Sequence, residues 1–175
     1  MRIKSDIVKL KEVKSCINLA LNSKKLFCIG VDGPTASGKT VFAKLLKEEI
    51  INISNKDVQI VPLDSLLLER KIREKSLQNI KKIGIPFEHE AEIHMEFSKF
   101  DNLFKLVSLK KEELVEDTSI KLENLYSRSN NGRCLGELEL NLSNQTILIF
   151  EGHYTTRPQF QKVLDKNFIL LAKRE

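Results

Sequence analysis

Cysteine is scarce. Cys16, Cys28 and Cys134 are widely spaced among 175 residues and form no C-x-x-C pair. This excludes a disulfide framework and a cysteine zinc site, and it points to a reducing cytoplasm. No apolar run approaches the roughly 20 residues that a membrane-spanning helix needs, so no membrane partner is expected. The opening MRIKSDIVKLKEVK has no continuous apolar core and does not read as a signal peptide. Internal repeats and low-complexity tracts are absent too. Nor is charge of one sign massed in a block: the net charge is +5, and the lysines are scattered through helical stretches. A nucleic-acid partner is therefore not expected. The mild basic excess suits solvated helix faces and an anionic ligand such as ATP.

What remains is an ordinary globular composition, 41% hydrophobic and 30% charged, which suits one domain over residues 1–175 with a real core. Homo-oligomerisation stays open.

The stretch from Leu26 to Thr40, LFCIGVDGPTASGKT, organises the chain. It reads as a short apolar strand (26–31), a glycine-bearing loop and a helix start. Gly33, Gly38, Lys39 and Thr40 fit the phosphate-binding pattern G-x-x-x-x-G-K-[ST]. The two glycines allow backbone conformations that a Cβ would block. Successive N–H groups of Gly33, Pro34, Thr35, Ala36, Ser37 and Gly38 (proline excepted) can then turn inward as an anion nest. The helix after Gly38 adds its unpaired N–H groups and positive dipole end. Lys39 is expected to reach the β- and γ-phosphates of ATP, and Thr40 to offer its hydroxyl to Mg²⁺. A chance glycine turn is the plain alternative. The apolar strand before the loop and the helical VFAKLLKEEI after it argue against that.

Before this stretch, residues 1–25 read as an amphipathic helix, with Ile7, Leu10, Val13 or Lys14, Ile17 and Leu21 at helical spacing. Ser5 and Asp6 are its expected caps. After it, residues 58–63 form a second, β-branched strand ending at Asp64. Strand, helix, strand is a βαβ unit, and in such sheets the carboxyl ends of the strands line the ligand crevice. Asp64 is therefore expected beside the phosphate loop. It is also a good helix cap, because SLLLERKIREKSLQNI reads as helical from Ser65.

Residues 82–86 read as a turn and 87–109 as a helix, with Phe97, Phe100, Leu103, Phe104 and Val107 as its core stripe. His89 and His94 lie off the i,i+4 face of paired metal ligands, so no metal site is expected there. Residues 110–125 show weak periodicity, and 127–132 are loop. Leu135, Leu138, Leu140 and Leu142 suggest a strand or hairpin arm. Residues 145–150 form a buried strand that ends at Glu151, and an acidic strand end there can hold Mg²⁺. A short helix (158–164) and a further strand (167–171) follow. The expected fold class is α/β: a P-loop NTPase-like three-layer α/β/α arrangement with a parallel sheet, as in nucleoside monophosphate kinases.

In order along the chain, these motifs resemble the uridine kinase / phosphoribulokinase family of P-loop kinases, and within it the uridine–cytidine kinases. The likeness rests on IGVDGPTASGKT, Leu63-Asp64-Ser65, Phe87-Glu88-His89 and Ile149-Phe150-Glu151-Gly152, with Arg157 and Asp165-Lys-Asn-Phe following. Tyr126 and Arg133 keep the spacing of the family's Y-D-F-x-x-x-x-R segment. The resemblance implies ATP-dependent phosphorylation of a ribose-containing small molecule, most naturally the 5′-hydroxyl of uridine or cytidine. In it, Asp64 is the catalytic base beside Lys39. Glu88, Tyr126 and Arg133 contact the acceptor, and Thr40 and Glu151 handle Mg²⁺. Departures stand at Leu66-Leu67, Glu90, Ser127-Arg128 and Asn131. The family continues into an arginine-bearing lid, and the sequence reads as lacking it. This leaves a kinase for another hydroxyl, or a nucleotide-binding protein with weak or no turnover, as alternatives.

Overall fold

The computed structural model describes residues 2–83 and 94–171. In chain order it contains α1 (Arg2–Asn22), β1 (Phe27–Asp32), α2 (Lys39–Ile53), β2 (Asp57–Pro62), α3 (Arg70–Ile83) and α4 (Asp101–Lys111). These are followed by β3 (Thr118–Ser127), β4 (Arg133–Leu142), β5 (Thr146–Glu151), the single-turn α5 (Pro158–Gln161) and β6 (Lys166–Ile169). Short 3₁₀ turns cover Leu63–Leu66 and Phe97–Phe100.

The short apolar runs become buried strands. Every residue of β1 and of β5 is buried. Together with β2 and β6 they form a parallel sheet in the order β2-β5-β1-β6. Strand side chains alternate between the two faces, and the core divides accordingly. On one face Phe27, Ile29, Val31, Ile147 and Ile149 pack with Cys16, Ile17 and Ala20 of α1 and Ala43, Leu46 and Ile50 of α2. On the other, Cys28, Leu148 and Phe150 pack with Leu103 and Val107 of α4, Phe160 of α5, Leu122 and Leu125 of β3 and Leu140 and Leu142 of β4. The expected α/β class with a parallel sheet between helical layers is therefore the observed one.

Several local expectations change. α1 begins at Arg2, so Ser5 and Asp6 lie inside it rather than capping it. The helix expected from Ser65 starts only at Arg70. Leu63 and Leu66 are buried in the core, and Leu67 forms a bridge to Met95. The Leu68 N–H donates to the His94 carbonyl at 2.8 Å, and the Glu96 N–H to the Leu66 carbonyl at 2.8 Å. These long-range bonds outweigh local helix propensity. They also interrupt the helix expected over 87–109: its described part is a 3₁₀ turn and α4. The start of that stretch, including the 82–86 turn beyond Ile83, lies outside the described residues. Of its expected stripe, Phe100, Leu103 and Val107 are nevertheless fully buried, and Phe104 is half-buried against the same core.

The weakly periodic stretch before Tyr126 is a strand. β3 pairs antiparallel with β4, and its register shifts between Leu122 and Leu125. Asn124 takes a φ of 57° there, breaking the alternation that marks a strand in sequence. Two of the thiols are buried in the core: burial pushes Cys28 up to about 12 and Cys16 up to about 11, which leaves little thiolate there for chemistry.

Phe160 is fully buried, with Phe104 edge-on at 4.8 Å between ring centroids and Phe150 at 6.2 Å. Phe160→Ala removes the shared ring of this cluster. It is expected to destabilise the fold by about 3–5 kcal/mol, read as a lowered midpoint in urea unfolding with the slope unchanged.

Candidate active site

The site grows out of strand register. Val31 of β1 is paired with Glu151 of β5, and Glu151 with Pro62 of β2. Three chain exits therefore leave the sheet at one level: Asp32-Gly33, Gly152-His153 and Leu63-Asp64. This is the carboxyl edge where open parallel sheets bind ligands.

The loop after β1 has the backbone that its glycines predict. Gly38 takes a φ of 88° and Ala36 a φ of 62°. Gly33 has a φ of 149°, and a Cβ there would meet the Leu170 carbonyl and the Ser37 hydroxyl. The Asp32 carboxylate accepts from the Gly33 N–H at 2.6 Å and from the Thr156 N–H and Thr155 hydroxyl, each at 3.2 Å. It thus fastens the loop to the segment after β5. α2 starts at Lys39 with no side-chain cap at Gly38, so its first N–H groups face the loop. The Lys39 ammonium is buried and donates to the Gly33 carbonyl at 2.9 Å and the Pro34 carbonyl at 2.8 Å. The Ser37 hydroxyl is buried without a hydrogen-bond partner among the described residues. An anion-accepting loop of this shape, with an orphaned donor, fits a phosphate chain.

Two cavities adjoin the loop. The first, about 330 Å³, is lined by the loop residues Thr35, Ala36, Gly38, Lys39 and Thr40 together with Asp64, Arg128, Glu151 and His153. The second, about 400 Å³, is lined by Leu67, Arg73, Met95 and Tyr154 among others. The two share Thr35, Asp64, Arg128 and His153. Asp64 sits in the 3₁₀ turn after β2 rather than capping an α-helix. Its carboxylate Oδ2 accepts from the Arg128 Nη2 at 2.5 Å. The Thr35 hydroxyl lies 3.3 Å from the His153 Nε2.

Glu151 is buried at the end of β5, and the Thr40 hydroxyl donates to its Oε2 at 3.2 Å. Burial raises its carboxyl above the ordinary glutamate range, and the nearby Asp64 charge adds to this. The Thr40 hydroxyl, Lys39 and Arg128 act in the opposite direction. Hard oxygen donors around a poorly solvated carboxylate suit Mg²⁺. That ion commonly takes one or two protein oxygens and completes its shell with phosphates and water. Among the described residues no cluster of three or more acidic, histidine or cysteine side chains could hold a metal by itself. The Thr40–Glu151 pair would therefore have to share the ion with a phosphate chain.

The structure thus brings together Lys39, Thr40, Asp64 and Glu151, all four named from sequence. Tyr126 and Arg133 line neither cavity. Tyr126 is buried under the Arg73 guanidinium, 4.9 Å from its ring centroid, and Arg133 is exposed on β4. Glu88 lies outside the described residues, as does Glu90. Sequence reasoning missed Arg128, His153, Arg73 and Asp32. His153 had a signal, since it follows the Glu151-Gly152 strand end directly. Arg128 stood out in sequence only as a departure from the family's Y-D-F segment, and its place at the site depends on β3 and β4 forming one hairpin.

No protein-family model matches the chain, and no curated protein sequence matches it. Solved structures do. A possible uridine kinase from Bacillus stearothermophilus superposes over 100% of this chain and 83% of its own, with a TM-score of 0.65 at 19% identity. A candidate fructose transport system kinase from Silicibacter sp. TM1040 superposes over 90% of this chain and 72% of its own, with a TM-score of 0.56 at 15% identity. At such identities the likeness is one of fold.

The Glu151 environment sets a pH test. A carboxyl raised in the folded state stabilises the fold below its unfolded pKa, and that contribution is lost as pH rises through the folded value. Glu151→Gln should therefore gain melting temperature relative to the unmodified protein as pH goes from about 4 to about 7. A constant difference across that range would contradict the assigned environment. The carboxyl edge of the sheet thus presents a glycine-bearing loop of inward donors, a raised carboxyl and an arginine-paired aspartate on a fold shared with the possible uridine kinase and the candidate fructose transport system kinase.

Proposed function

We propose that the chain transfers the γ-phosphoryl group of ATP to a hydroxyl of a ribose-containing small molecule, with the 5′-hydroxyl of uridine or cytidine as the first acceptor to test. The observation that carries this reading is the pair of adjoining cavities with Asp64 lining both. One cavity has the phosphate loop as its wall, and the other touches the loop at Thr35 alone. The carboxylate between them stands where an acceptor hydroxyl would meet a terminal phosphate.

In this reading the loop 33–40 cradles the phosphates and Lys39 neutralises their charge. Thr40 and Glu151 would hold Mg²⁺, which when bound would offset the negative charge of the phosphate oxygens. Asp64 orients the acceptor hydroxyl and takes its proton as the phosphoryl group leaves ADP. Phosphoryl transfer passes through a loose transition state, so position matters more than strong basicity. An aspartate paired with an arginine is adequate for that task. The family resemblance assigns Glu88, Tyr126 and Arg133 to the acceptor, but Tyr126 and Arg133 line neither cavity and Glu88 lies outside the described residues. The carry-over is a reading by likeness, supported by the fold shared with the possible uridine kinase.

A second reading, nucleotide binding without turnover, draws on the Asp64–Arg128 pair, because the carboxylate oxygen bonded to the guanidinium is not free to meet an acceptor hydroxyl. Transfer of labelled phosphate from Mg·ATP to a panel of nucleosides, sugars and sugar phosphates separates the two. Label in at least one acceptor supports the kinase reading. ATP binding with no labelled acceptor supports the second. Where transfer is seen, Asp64→Asn is expected to lower kcat by about 10²–10⁴-fold. ATP affinity should fall by less than about tenfold, or about 1.4 kcal/mol, since the asparagine oxygen can still accept from the Arg128 guanidinium. Equal losses in the two quantities would remove Asp64 as the base.

A further inference from the structure

We infer that Arg128 is a further nucleotide-binding residue: it grips the terminal phosphoryl group of the bound triphosphate from the hairpin side, and Asp64 holds it in place for that task. The inference rests on the nucleotide reading of the loop and deepens it. Three observations carry it.

The first is position. Arg128 lines the phosphate-loop cavity together with Lys39 and Thr40, and it also lines the adjoining cavity together with Leu67 and Arg73. A group lining both stands over the route between donor and acceptor. Lys39 approaches from the loop side, so the two cations flank the same space.

The second is chemistry. A guanidinium carries five N–H donors in a planar fork that matches phosphate oxygens. The pair with Asp64 uses Nη2, which orients the plane and leaves other donors for an anion. The Arg128 side chain is 76% exposed. An ion pair so open to water adds little to stability, so the fold does not need it there.

The third is the carrier. Arg128 sits between β3 and β4, and the tip of this hairpin is anchored rather than loose. The Arg70 N–H donates to the Gly132 carbonyl at 3.0 Å, and the Cys134 N–H to the Glu69 carboxylate at 3.3 Å. The Lys99 ammonium donates to the Asn124 carbonyl at 2.6 Å lower on the same ribbon. Gly132, with a φ of 76°, lies so close to Arg70 that a Cβ there would sit 2.9 Å from the Arg70 Cβ. Such bracing fixes where the guanidinium can reach.

Calorimetric titration of the full chain with Mg·ATP and Mg·ADP tests the assignment. Arg128→Gln is expected to weaken ATP by about tenfold or more while ADP changes less than about twofold, because a terminal-phosphate contact is worth a charge-assisted hydrogen bond only in the triphosphate. The variant should melt as the unmodified protein does. Equal effects on ATP and ADP, or no effect on either, would overturn the inference. The outcomes also separate it from the kinase reading. Selective loss of ATP affinity without any phosphoryl transfer by the unmodified chain would keep Arg128 and retire the kinase. Transfer with an unchanged ATP preference in Arg128→Gln would do the reverse. Failure of the unmodified chain to bind ATP would overturn both.

Discussion

The parallel register of β1, β5 and β2 is the constraint on which everything else depends. Val31, Glu151 and Pro62 sit level across three strands. Parallel strands share one carboxyl edge, and that edge here receives Gly33, Asp64 and His153 from segments that are remote in sequence. A slip by one residue would turn every strand side chain to the opposite face. It would exchange the cores built on Ile149 and Phe150 and carry Glu151 away from Thr40. Register is held because both faces are covered: Ile147 and Ile149 need α1 and α2, while Leu148 and Phe150 need α4 and α5. The apolar interior thus fixes the polar site.

Charge organises what the sheet has gathered. Lys39 is buried and bonded to carbonyls of its own loop. Glu151 is buried beside Thr40 and raised by that burial. Asp64 and Arg128 face each other at the rim. Two cations and two carboxylates surround one space, so the local field can accept a polyanion with a divalent cation. Asp32 contributes from below. By bonding Gly33, Thr155 and Thr156 it ties the phosphate loop to the segment that presents His153.

Much of this was legible in the sequence, because its signals are local. The phosphate loop is a contiguous pattern of glycines, lysine and threonine, and its backbone is as those residues require. β1 and β5 announce themselves as short apolar runs. Asp64 and Glu151 follow from the rule that strand ends line the crevice. What was illegible depends on distant partners. The helix start moved from Ser65 to Arg70 because Leu66 and Leu68 bond across to residues 94–96, a pairing that no local pattern encodes. β3 was hidden by a bulge at Asn124, and with it the hairpin that delivers Arg128. Tyr126 and Arg133 kept a family spacing, yet Arg133 pairs with Ser127, the residue after Tyr126, and successive strand residues point to opposite faces. One is buried under Arg73 and the other faces solvent.

The central claim is that the loop from Gly33 to Thr40 reads the β- and γ-phosphates of a nucleotide. Titration of the unmodified chain with adenosine, AMP, ADP and ATP in Mg²⁺ tests it without any variant. Affinity that is weak for adenosine and AMP and rises by about tenfold or more at ADP and ATP is the predicted result, as expected when a backbone nest, a lysine and a helix N-terminus act together on those groups. Equal affinity across the four compounds, or no binding of any, would contradict the account.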